Sequence, residues 1–185
     1  MAATTVAVAA PAHAAPSAIT LPHTTVAQSN GWACGPYATH IALTTFGWGS
    51  SISQLESLEH TSSSSGTNSV ANVTTALNYF MSAHGVLLRY KSVYPDGSTA
   101  TVKHYLVNDI YGGNGFVANI VGYRNDVNGV SRGYGYGGHY VAVVGYRDNG
   151  DQARIADPGD GQDYWMTTAN LAGWIGTARG ISVTP

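Results

Sequence analysis

Cysteine occurs once in the 185 residues, as Cys34. One thiol closes no internal disulfide, so a stapled scaffold is excluded and a hydrophobic core must hold the fold. Charge is also scarce. Asp, Glu, Lys and Arg make up 10% of the chain, against a usual ~25%, and the net charge is −2. No Lys or Arg precedes Arg89, and no run of like charge occurs. The chain therefore lacks the basic footprint that nucleic acid or an anionic membrane surface selects. Past the first fifteen residues, no apolar run reaches the ~18 residues that span a bilayer. The seven histidines show no metal-ligand spacing, and neither a metal nor another cofactor is expected.

Polarity comes instead from Ser, Thr, Asn, Gly and Tyr, a neutral hydrogen-bonding surface of the kind met outside the cell. Residues 1–14 are apolar and small, and Ala12-His13-Ala14 has the A-x-A form of an export cleavage site. The positive n-region is missing, so this stretch reads as a residual secretion signal cut after Ala14. Residues 15–20 read as a flexible segment and 21–185 as one domain, secreted and monomeric. A leftover thiol in an oxidising compartment is a hazard unless it is buried or used.

The pattern along 21–185 predicts helices first and strands later. A helix is expected over 34–46, with Pro36 in its first turn, and it ends at Gly47 and Gly49. Ser53-Gln54-Leu55-Glu56 reads as a capping box opening a second helix. A third spans 69–84, with Val70, Val73, Ala76, Leu77 and Phe80 at helical spacing and Gly85 beyond its end. Residues 86–93 read as a strand. Pro95-Asp96-Gly97 is a turn, and Ser98 caps a fourth helix to residue 111. Strands follow over 116–123, 140–146 and 153–156, with a turn at Arg147-Asp148-Asn149-Gly150. Residues 125–138 read as a Gly- and Tyr-rich loop, in which 134–138 is either a mobile flap beside His139 or a plain linker. A segment at 164–166, a short helix capped by Thr167 and a strand over 179–183 complete an α+β fold, helices packed on an antiparallel sheet.

Cys34 opens the first helix, at the positive end of a macrodipole of roughly +0.5 charge, a place that favours a thiolate. Gly31 and Gly35 leave room for backbone and substrate, and Trp32 is either a pocket wall or a packed side chain. The Cys34 N–H and the Gln28 side chain, six residues upstream, are candidate oxyanion donors. The alternative for Cys34 is a small buried hydrophobe. A thiolate needs a base, and His139 follows Gly137-Gly138 at the start of a strand, where small neighbours leave it open to a cleft. Asp157 ends the returning strand, at the same end of the expected hairpin as His139, and can orient the imidazole. Asn119 is the reserve for that role.

Gln28-x5-Cys34-Gly35-Pro36, the segment Gly138-His139-Tyr140-Val141-Ala142-Val143-Val144-Gly145-Tyr146 and the later Asp157-Pro158 together resemble the peptidase C39-like family of papain-like domains. The resemblance runs from about residue 21 to 183. It implies Cys34 as nucleophile, His139 as base, Asp157 as orienting group and Gln28 as oxyanion donor; beside them, Trp32, Gly35 and Gly138 are the candidates for contact with the substrate. It further implies a secreted cysteine peptidase acting on a peptide or protein. The same triad also suits acyl transfer such as transpeptidation, and the fold also suits a binding module without catalysis.

Overall fold

A computed structural model of the chain describes residues 15–185, so the expected signal at 1–14 lies outside the described residues. Five helices and nine strands follow in the order β1 (Ile19–Thr20), α1 (Cys34–Thr44), α2 (Ile52–Leu58), α3 (Val70–Ala83), β2 (Lys91–Val93), α4 (Thr99–Tyr111), β3 (Phe116–Ile120), β4 (Tyr123–Asn125), β5 (Ser131–Gly133), β6 (His139–Arg147), β7 (Gln152–Asp157), β8 (Gln162–Thr167), α5 (Thr168–Ile175) and β9 (Ile181–Val183). The main sheet has the order β2-β9-β3-β6-β7-β8, every pair antiparallel, and β1 joins the far half of β6. The helix-then-sheet α+β architecture expected from the sequence is the one observed.

Local chemistry explains most boundaries. Helix α1 stops at Thr44, short of Phe46, because the Thr44 and Thr45 hydroxyls donate to the Ile41 and Ala42 carbonyls at 2.6 and 2.7 Å. Ser51, not Ser53, caps α2: its backbone is extended and its side chain accepts from the Gln54 N–H at 3.2 Å. The capping box is thus Ser51-x-x-Gln54, two residues earlier than expected. The strand expected over 86–93 shrinks to β2. Both backbone groups of Tyr90 are held by the Asn78 side chain, which ties this stretch to α3 and leaves Leu87 exposed.

Strand β6 is the spine, buried from His139 to Tyr146. Helix α1 packs on β6 and β3 and against α2 and α3, while α4 packs on β6 and α5. Leu43, Leu77, Leu106, Phe116, Ile155 and Trp174 are all buried in the core, each contributing about 1.5–3 kcal/mol. The segment ahead of residue 21 follows this spine. Ile19 and Thr20 pair with Tyr146 and Gly145, and the Tyr146 hydroxyl donates to the Pro16 carbonyl at 2.8 Å.

Candidate active site

Cys34 is half-buried at the first position of α1, where backbone N–H groups have no partner within the helix. It opens into a cleft of about 310 Å³, walled by Trp32, Thr67, Gly138, Asn119, Tyr140 and Arg179, with the Ser63–Ser65 loop at its rim. Gly35 is not part of that wall. The space beside its Cα is filled by Thr67 and Glu59, and a Cβ there would lie 2.6 Å from Glu59 Oε2. Its missing side chain serves close packing beneath the start of α1, not room in the cleft. Glu59 is buried without a cation beside it, held by the Thr39 and Thr67 hydroxyls at 2.5 and 3.1 Å. Burial outweighs those two hydrogen bonds and pushes its carboxyl up to about 8.

The hairpin β6–β7 brings His139, the first residue of β6, to Asp157, the last of β7. Both are buried, and His139 Nε2 lies 2.8 Å from Asp157 Oδ1. The Cys34 thiol lies close enough to the imidazole to act on its protonation. Burial alone would lower the pKa of His139. The hydrogen bonds to Asp157 and Cys34, with their charges, overcome it and raise it to about 9. Burial likewise works against the Asp157 carboxylate. Hydrogen bonds from His139, Gly159 N–H and Tyr164, with the His139 charge, hold its pKa below the usual value. Oδ1 accepts from Gly159 N–H at 2.8 Å and Oδ2 from the Tyr164 hydroxyl at 2.8 Å.

Asn119, the reserve for the orienting role, stands elsewhere. It pairs with Tyr140 across β3 and β6, and it is Asp157 that meets the imidazole. Gln28 sits on the loop before α1, its N–H donating to the Pro158 carbonyl at 2.7 Å, next to Asp157. One hydrogen of its side-chain amide goes to the Asn30 carbonyl at 2.6 Å. Trp32 and Gly138 line the cleft.

Sequence reasoning missed two participants. Tyr134, in the segment read as a flap toward substrate, stacks on the His139 ring with centroids 3.7 Å apart and planes at 28°. Its hydroxyl donates to Asp157 Oδ1 at 3.1 Å, so it faces the His–Asp pair. The residues after it, 135–137, form a 3₁₀ turn. Arg179 is the second, a cation at the cleft with no local motif around it. Among the described residues, no three of His, Cys, Asp and Glu gather as a metal site.

In fold the chain is similar to several solved peptidase domains. One is the peptidase domain of Streptococcus ComA, a bifunctional ABC transporter involved in a quorum-sensing pathway, with a TM-score of 0.56 and 21% identity over 88% of this chain and 98% of that one. Another is a double glycine motif protease from an AMS/PCAT transporter in complex with the leader peptide (TM-score 0.54, 17% identity, 90% and 94% coverage). A third is a C39-like peptidase from Bacillus anthracis (TM-score 0.54, 14% identity, 89% and 98% coverage). No curated protein sequence matches the chain. Residues 20–178 match the Peptidase_C39 like family, and the chain belongs to that family.

Proposed function

We propose that this protein is a cysteine peptidase in which Cys34, His139 and Asp157 act as nucleophile, acid–base and orienting group. The observation that carries this reading is the buried His139–Asp157 pair at 2.8 Å, with the Cys34 thiol near enough to the imidazole to act on it. A raised His139 pKa means that the imidazolium is held at neutral pH, ready to pair with a thiolate. A fold retired from catalysis has no need to keep a protonated imidazole against a lone thiol.

The thiolate Sγ adds to the peptide carbonyl carbon, and the oxygen takes the negative charge. The unpaired Cys34 N–H and the second amide hydrogen of Gln28 are the donors assigned to that oxygen. The C–N bond breaks as His139 gives its proton to the leaving nitrogen. A water then attacks the thioester, its proton passing to His139, and the acid leaves with the thiolate restored. Asp157 keeps the ring in the required tautomer throughout. A peptide substrate agrees with the leader peptide bound to the double glycine motif protease of similar fold.

The test combines labelling and turnover. Folded protein at neutral pH is expected to be alkylated at Cys34 by iodoacetamide, and cleavage of a peptide library is expected to vanish in Cys34→Ala. A thiol that resists alkylation in the folded state, or a library cleaved equally by Cys34→Ala, overturns the reading. Gln28→Ala is expected to lower kcat about a hundredfold with little change in KM.

A further inference from the structure

The cleft holds more recognition chemistry than the triad uses. Arg179 is the only charged side chain among the described residues that line it. It forms no ion pair or hydrogen bond among the described residues, whereas Lys103, Arg132 and Arg154 each pair with an aspartate. Its guanidinium lies against Gly138, where a Cβ would stand 3.1 Å from it. Gly138 has φ +80 and immediately precedes His139, so the absent side chain leaves the cation its place beside the catalytic strand.

Two further groups are buried there without partners. The Tyr140 hydroxyl and Asn119 Oδ1 make no hydrogen bond, although the residues are only 3% and 5% exposed. They are cross-strand neighbours, and both line the cleft. Glu59, Cys34 and Arg179 all lie close enough for their charges to act on the Tyr140 hydroxyl, and the Asn119 side chain faces it short of hydrogen-bond geometry. Buried polar groups normally find partners, so a donor and an acceptor left open beside a nucleophile point to a ligand that completes them.

We propose that Arg179, Tyr140 and Asn119 form a subsite beside Cys34 that selects peptides presenting a carboxylate next to the bond attacked. The guanidinium fork and the phenol hydroxyl donate to the carboxylate oxygens, and Asn119 Oδ1 accepts a backbone N–H of the same peptide. No Asp or Glu lines the cleft to compete for the cation. Arg179 also lies one residue past the part of the chain that matches the family. The carboxylate has two sources, an Asp or Glu side chain or a free C-terminus. The inference rests on the peptidase reading, yet it can fail separately from it.

Alkylation tests the subsite without turnover. In both iodoacetamide and iodoacetate the thiolate displaces iodide, and only the second carries a carboxylate. Arg179→Gln is expected to slow iodoacetate at Cys34 by about tenfold or more while iodoacetamide is little changed. Arg179→Lys is expected to retain part of the preference. Should Arg179→Gln not fold, wild type at about 1 M salt serves, since screening then acts within ~3 Å and iodoacetate should slow selectively. An unchanged ratio of the two rates, under variant or salt, overturns the subsite. Failure of both reagents to modify Cys34 overturns the subsite and the peptidase reading together.

Peptide arms then separate the carboxylate sources. C-terminally amidated peptides with one Asp or Glu are compared with their Asn or Gln counterparts, and neutral peptides are compared with free and amidated C-termini. A wild-type preference for either carboxylate, lost in Arg179→Gln, supports the subsite and names its source. Cleavage indifferent to both overturns it while leaving the peptidase standing. A rate-ratio shift in alkylation with no peptide cleaved leaves the subsite standing and overturns the peptidase.

Discussion

At the scale of the residue, His139 is held by three contacts that can be separated. Asp157 supplies charge and a hydrogen bond, Tyr134 covers one ring face, and Cys34 lies near enough to act on the ring. Removing the charge alone, in Asp157→Asn, leaves burial to dominate, and the imidazole pKa falls from about 9. The alkaline limb of kcat/KM is therefore expected to move to lower pH, with a lower plateau; a limb that stays in place shows that Asp157 does not set the protonation of His139. Tyr134→Phe keeps the stack and loses the 3.1 Å hydrogen bond, a loss of about 1 kcal/mol or severalfold in rate. Tyr134→Ala removes the cover as well; the rate is expected to fall further, while relief of burial moves the alkaline limb to higher pH. Equal profiles for the two variants assign Tyr134 no part through its ring. The residues proposed as nucleophile, base and orienting carboxylate could be picked out because each carries a local mark: a thiol at a helix start, a histidine after two glycines, an aspartate at a strand end. Tyr134 carries none, since its partners are 5 and 23 residues away and meet it only through the folded hairpin.

At the scale of the element, the start of α1 rests on Glu59, which follows α2. Gly35 brings the helix backbone against that carboxyl, and Thr39 and Thr67 hold it from α1 and from the segment before α3. The folded pKa, about 8, stands above the ordinary 4.5, so between these values the folded state keeps a proton that the unfolded chain has lost. Stability contributed by this site is therefore expected to fall as pH rises from about 4.5 to about 8. Glu59→Gln, a neutral group of the same shape, should flatten that slope in denaturant titrations at several pH values. An unchanged slope shows that Glu59 does not carry it. Elements with strong periodicity, such as α3 and β6, were legible in the sequence. The hairpin β4–β5 was not. Its turn is built by Asp126, whose carboxylate accepts from the N–H groups of Asn128 and Val130, while Tyr123 and Arg124 are exposed and show no apolar alternation.

At the scale of the whole molecule, the stretch ahead of α1 is fastened across the sheet from β6 to β8. β1 lies on β6, and beyond it His23 Nε2 meets Asp163 of β8 at 2.8 Å. Thr25 and Arg154 converge on the same carboxylate at 2.5 and 2.9 Å. Burial opposes the charge of Asp163, but hydrogen bonds from His23, Thr25 and Arg154 hold it well below the usual carboxylate range. Residues 15–20 read as a flexible lead-in because they are short and follow the expected cleavage site; the pairing depends on the edge of β6 that β3 leaves open past Val143. Cleavage after Ala14, the expected end of the signal, would leave the bond at the Pro16 carbonyl in place. A chain beginning at Ala15 is therefore expected to melt with the full-length protein. A chain beginning at Thr24 loses β1, the Pro16 contact and the His23–Asp163 pair. A loss of about 2 kcal/mol there would lower Tm by about 4–8 °C in a domain of this size. Thermal unfolding of the three lengths decides it: a drop already present at Ala15 places essential structure before the proposed cut, and no drop at Thr24 removes the fastening role from the segment.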